Sequence, residues 1–184
     1  MKKPVAQKLT IAVVLMMLGM SCLTAVAETS DFTMPTPDEI EAAAGDPSAI
    51  AALLDGASPE QAASIVRDVL VAVITQGQEA GLSVAAIAAN VQVVVETATA
   101  AIPIASQTAF AQALAATIAA TPIIAATQEF RAAVQAGAQA GGASGTNLGR
   151  VFGDAYAATV TSLPGTPPGG TTSPEGRGYP GQQI

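Results

Sequence analysis

The chain of 184 residues has no histidine, no tryptophan and a single cysteine, Cys22; aromatic residues make up 3% of it and charged residues 11%. Each shortage removes a class of chemistry. Without histidine, and with one thiol near its start, the chain cannot form a Cys/His zinc site, a Ser-His-Asp triad or a paired-cysteine redox centre. Lysine stops at Lys8, so the remainder depends on four arginines for positive charge.

The first 27 residues have a logic of their own. Lys2, Lys3 and Lys8 precede an apolar run from Leu9 to Met20, and Ala25-Val26-Ala27 then offers small residues before Glu28. A positive start, an apolar middle and a small-x-small end are what the secretion machinery and its peptidase read. The run is short of the roughly 20 residues that a membrane span needs. Residues 1–27 are therefore expected to be a cleavable secretory signal peptide. A lipoprotein reading at Cys22 fits less well, because Gly19 stands where the lipobox usually has leucine.

Cleavage after Ala27 would leave Arg67, Arg131, Arg150 and Arg177 against fourteen acids, a net charge of −10. Such a chain repels phosphate backbones and anionic headgroups alike, so nucleic acid is not an expected partner. It would also hold no thiol, so an oxidising compartment poses it no difficulty. Localisation in the periplasm, at the cell surface or outside the cell follows as the expectation.

Beyond a short polar linker, residues 28–35, the strongest structural signals are four proline pairs. Thr36-Pro37, Asp46-Pro47, Ser58-Pro59 and Thr121-Pro122 each place an N-cap residue before a proline that loses nothing at the first helical position. Thr36 with Glu39 and Ser58 with Gln61 extend to capping boxes. Gly45, Gly56 and Gly81 stand where the helices so begun should stop. These marks predict helices over 37–44, 47–55, 59–80, 83–101, 105–120, 122–139 and 147–161, and the apolar residues in all of them recur near 3.6 rather than 2. Val91 to Val95 has strand propensity, but no other segment alternates to partner it, so helix is expected there too.

The fold class is thus all-α: an alanine-rich bundle or array of about five to seven helices over residues 36–161. Residues 162–184, rich in proline and glycine, cannot bury enough surface to offset their ordering entropy and are expected to be disordered. No fixed repeat period runs through the chain.

Weighed for chemistry, the remaining clusters favour plain readings. Asp38, Glu39 and Glu41 suit a helix's first turn, and no calcium loop surrounds them. Arg67 beside Asp68 reads as a solvated helix face. Glu79, Glu96 and Glu129 stand singly, whereas carboxylate-dependent hydrolysis needs two acids across a cleft. No cofactor or metal is expected.

One feature stands out: residues 97–128 carry no charge at all. The expectation is a central hairpin buried on more than one face, with an interface to another chain or insertion into a membrane as the other readings. Phe110, Leu114 and Ile118 line up at four-residue steps, Ile123 and Phe130 follow, and Gly145, Gly149 and Gly153 would form a small-residue seam on the last helix. These eight residues are the candidate interaction surface. The function expected is that of an exported, non-enzymatic structural or interaction protein packing against itself or another chain. A membrane-active protein inserting residues 97–128 is the first alternative, and an unrecognised carboxylate-dependent hydrolase the second.

Overall fold

The computed structural model describes residues 32–162. The signal segment, most of the polar linker and the tail from residue 163 onward lie outside that range. Within it every regular element is helical. Helix α1 is Pro37–Gly45; a 3-10 turn, Pro47–Ala49, runs into α2, Ile50–Leu53; α3 is Pro59–Glu79 and α4 is Val84–Ala101. Then follow α5, Ile104–Ala119; α6, Pro122–Ala125; α7, Gln128–Gly141; and α8, Leu148–Ser162. That makes eight α-helices among the described residues, three of them shorter than ten residues.

The starts obey local chemistry. Both capping boxes form: Thr36 accepts from the Glu39 N–H, Ser58 from the Gln61 N–H, and in each box the acid or amide reaches back to the cap. Ser83 caps α4 through the Ala86 N–H, and Asp46 caps the 3-10 turn through the Ser48 N–H. Thr121 departs from expectation. Its hydroxyl donates to Thr117 O at 2.8 Å, so α6 begins without a side-chain cap.

The clearest stop is at the end of α3. Gly81 takes φ +69, its N–H donates to Gln78 O at 3.0 Å, and the Leu82 N–H donates to Gly77 O at 2.9 Å. This pair of bonds satisfies two carbonyls that a helix end would otherwise leave open, and the left-handed φ suits glycine. Gly45 behaves differently. It stays inside α1, and the turn comes from the extended backbone of Asp46.

The segment 122–139 is not one helix. It breaks at Thr127, whose backbone is extended. Ile124 and Phe130 are both buried, yet on a continuous helix residues six apart point about 120° away from each other. Breaking the helix lets both enter the core, and the Arg131 guanidinium donates to the carbonyl of Ala125 that the break exposes. The Arg131 guanidinium also lies 6.0 Å from the centre of the Tyr156 ring, which ties the break to α8.

The five long helices pack in a closed order: α3 on α4, α4 on α7, α7 on α8, α8 on α5, and α5 back on α3. α1 lies against α3 and α2 against α4. Inward faces supply the core, including Ile65, Val69, Ile74, Ile87, Phe110, Leu114, Ile118 and Phe152. Each such side chain contributes about 1.5–3 kcal/mol when removed from water, before its ordering entropy is subtracted.

The closest approach of two helices is α4 against α7. A Cβ on Gly137 would lie 2.6 Å from Gln92 O and 2.8 Å from Val95 Cβ; one on Gly141 would lie 2.8 Å from Thr99 Cβ and closer still to Glu96 O. Only glycine at both positions lets the two backbones meet. Gly137 lies within the helix expected to end at 139, and α7 runs two residues further, to Gly141.

Candidate functional site

The eight candidate surface residues fall into three groups. Phe110, Leu114 and Ile118 are fully buried and Phe130 is 2% exposed, so they face the chain's own core rather than its surface. Ile123 is half-buried, and its neighbour Ile124 takes the core position instead. Gly145 sits in the loop before α8 at φ +88 with open space around its Cα, so it is no part of a seam. Gly149 and Gly153 do face α7: a Cβ on the first would lie 3.1 Å from Gln139 Cβ, and on the second 3.3 Å from Gln135 Nε2.

The charge-free stretch is likewise rearranged. α4 and α5 do not lie along each other as a hairpin; α4 packs on α3 and α7, and α5 on α3 and α8. α5 buries a single broad face and leaves Thr108, Ala109, Gln112 and Ala116 exposed. Low charge there reflects an alanine-rich outer face, not burial on two sides.

Two grooves stand out on the described surface. One, of about 590 Å³, runs between α7 and α8 with Ala132, Ala136, Gly149 and Gly153 along it and Gln135 and Asn147 at its sides. Gln139 braces it: its amide donates to Thr146 O at 3.1 Å and its oxygen accepts from the Gly149 N–H at 3.0 Å. The Arg150–Asp154 pair beside it is three-quarters exposed and adds little binding energy. The other groove, of about 460 Å³, lies between α1 and α3 and is lined by Ile40, Val71 and Ala72 together with Glu41, Asp68 and Glu79.

The acids do not converge. Among the described residues no group of three or more His, Cys, Asp or Glu is placed to hold a metal ion. Glu39, from the densest acidic stretch, is occupied by its capping box. The Thr36 backbone N–H and hydroxyl both donate to its carboxylate, at 2.8 and 2.9 Å, and hold it below its ordinary range. Ser48 does the same for Asp46, its hydroxyl at 2.6 Å acting ahead of its backbone N–H at 3.0 Å. Both shifts belong to helix starts.

The surface feature that sequence reasoning missed is the outer side of α4. Ile87, Val91, Val94, Val95, Ala98 and Thr99 form its buried face. Opposite them, Ala86, Ala89, Val93, Glu96 and Ala100 are all exposed. Of the five large hydrophobic residues that stand exposed among the described residues, four belong to this helix or flank it: Leu82 at 45%, Val84 and Val93 at 48%, and Ile104 at 69%. Glu96 is the only charge in the helix. α4 is also the one helix among the described residues that is long and apolar enough to cross a membrane, with a third of it buried in the fold. The signal for this face was the β-branched run Val91–Val95, which supplies more apolar side chains than one face can bury.

Compared with known proteins, the chain matches no family model, no curated protein and no solved structure.

Proposed function

We propose that this is an exported, non-enzymatic structural or interaction protein that works by packing a helix against itself or another chain. The observation that carries the reading is the outer face of α4. An 18-residue helix presents alanines, Val84, Val93, Asn90 and one acid to solvent, flanked by Leu82 and Ile104. A helix face that is apolar on both sides normally has a neighbour on both. Export rests on the signal-like residues 1–27 and fits a chain whose later residues hold neither lysine nor cysteine.

A membrane-active protein is the second reading, and here the candidate element becomes α4 rather than residues 97–128, because among the described residues α4 alone has the necessary length and hydropathy. One experiment separates the two. Protein recovered after export is floated with neutral phosphatidylcholine vesicles, and the lipid-free fraction is sedimented and cross-linked on intact cells. Protein that stays at the bottom and associates with itself or a surface protein supports helix packing. Flotation with the lipid supports the membrane reading. A lipid-free monomer that cross-links to nothing overturns both.

A further inference from the structure

We propose that the groove between α1 and α3 docks an amphipathic helix of another protein, one that carries lysine or arginine beside a short apolar face. This site is separate from the outer face of α4 and does not depend on it. Charge is unevenly spread along the chain. Residues 37–79, which span α1 to α3, hold eight acids and one arginine, a net charge of −7. Residues 80–162 hold three acids and two arginines, a net charge of −1. The negative charge of the described residues is thus concentrated on the helices that build this groove. A cleft lined by one sign of charge focuses its field and draws partners of the other sign.

Within the groove the imbalance is complete. Glu41, Asp68 and Glu79 line it, and no basic residue does. Arg67 meets Asp68 at 2.7 Å, but neither Glu41 nor Glu79 meets a cation among the described residues, and both are exposed. Gln76 ties the two walls together there, its amide donating to Glu41 O at 3.5 Å. Glu79 also stands at the end of α3, whose last turn holds no basic residue. The negative end of the helix dipole disfavours an acid at that place and favours a cation. A lysine or arginine brought from outside answers the carboxylates and the helix end together.

The floor decides what must carry the charge. Asp68, Val71, Thr75 and Glu79 follow one another at three- and four-residue steps, with Ala72 and Ile40 beside them. The stripe runs about 16 Å along α3 at ~1.5 Å per residue. A bare polycation gains nothing from Ile40, Val71 and Ala72, and among the described residues no three acids are placed to hold a metal ion. A helix laid along α3 covers them with apolar residues of its own at the same spacing. Anionic lipid is repelled by the same acids. A second copy brings no free cation on its described residues. Arg67 stands against Asp68, Arg131 against the Ala125 carbonyl and the Tyr156 ring, and Arg150 against Asp154. Because the charges are exposed, the docking is weak and falls with salt.

The test uses protein recovered after export and a fluorescein-labelled peptide of about five helical turns, with leucines at i, i+3, i+4 and i+7 along one face and lysines on its flanks. Anisotropy should show saturable binding that weakens at least about tenfold between roughly 20 mM and 500 mM sodium chloride. A peptide with the lysines but no leucine, and one with glutamate for lysine, should each bind at least about tenfold more weakly. Glu41→Gln with Glu79→Gln should weaken the leucine–lysine peptide about tenfold. Glu96→Gln with Glu129→Gln removes as much charge outside the groove and should leave binding unchanged. Thr75→Arg, at an exposed position of the groove, supplies a cation within the chain. It should weaken binding as the first pair does, with the far-UV circular dichroism of the parent. Equal loss in the two glutamine pairs would mean attraction to the acidic chain as a whole and overturns the groove as the site. A lysine-only peptide that binds as tightly overturns the amphipathic helix as occupant. No binding of the leucine–lysine peptide at about 1 mM overturns the docking outright. Each of these results leaves the reading of α4 standing.

Discussion

The Ala143 N–H donates to Gln107 Oε1 at 3.1 Å, a bond between residues 36 positions apart that fastens the α7–α8 loop to the first turn of α5. The other end of the same side chain donates to Thr99 O at 3.1 Å and Ile102 O at 3.3 Å, where α4 stops before Pro103. Gln107 is 3% exposed. One amide therefore serves three backbone groups, of which Thr99 O also accepts from the Ile102 N–H at 3.3 Å, and it holds together segments that arrive from different parts of the chain.

Gln107→Leu keeps the volume and removes every one of these bonds. The Ile102 carbonyl and the part-buried Ala143 N–H lose their partner, each worth on the order of 1–3 kcal/mol when unsatisfied, while Thr99 O keeps its bond from the Ile102 N–H. Relaxation and water entry recover part of that, so a loss of about 2–4 kcal/mol is expected. Urea unfolding checks it as a lower midpoint with an unchanged slope. Gln107→Glu should fall in the same range at neutral pH, because a carboxylate cannot donate to the two carbonyls.

Helix starts were legible because their chemistry is local: Thr36, Ser58 and Ser83 each cap within three residues. Gln107 was not, since nothing near it in sequence announces Ala143. The same limit hid the break at Thr127, which serves the burial of both Ile124 and Phe130, a tertiary demand. Four-residue spacing did find Phe110, Leu114 and Ile118 as one face. It could not say whether that face looked inward or toward a partner, because a core and an interface use the same residues. The outer face of α4 was missed for a related reason: when apolar residues stand on both sides of a helix, their spacing does not announce which of them stay exposed.

Glycine gives the next prediction. Gly141→Ala and Gly137→Ala each force a Cβ into the backbone of α4, which cannot swing aside as a side chain can. Each should cost about 1–3 kcal/mol by overpacking, with Gly141 the worse of the two. Gly45→Ala is the opposite case, since nothing lies within 4 Å of its added Cβ and its φ is not positive. It should gain about 0.5–1 kcal/mol through the unfolded chain and helix propensity. Thermal unfolding of the three variants should place Gly45→Ala above the parent and the other two below it.

Thr99 sits in the same contact and carries a cost. Its Oγ1 is buried with no hydrogen-bond partner, although its backbone carbonyl is engaged by Gln107. Thr99→Val replaces the hydroxyl by a methyl of nearly the same shape and ends that desolvation penalty. A gain of about 1 kcal/mol is expected, against the usual loss for a core substitution. A lower urea midpoint for Thr99→Val would mean that the hydroxyl finds a partner in solution.

Acid sensitivity follows from the helix starts. Hydrogen bonds from Thr36 hold Glu39 below its ordinary 4.5, and those from Ser48 hold Asp46 below its ordinary 3.8. Because folding lowers both values, the charged forms favour the folded state. Their contribution is complete above the unfolded values and is lost as pH falls through the lower folded ones. Stability from these two groups should thus be level from pH 7 to about 5 and decline below 4.5, the decline beginning at Glu39, whose ordinary value is the higher. Glu39→Gln with Ser48→Ala removes one carboxylate and the stronger donor to the other. Urea midpoints measured from pH 7 to pH 2.5 should fall less steeply in that double variant than in the parent below pH 4.5. If the two profiles run parallel, the acid response arises elsewhere than at the starts of α1 and the 3-10 turn.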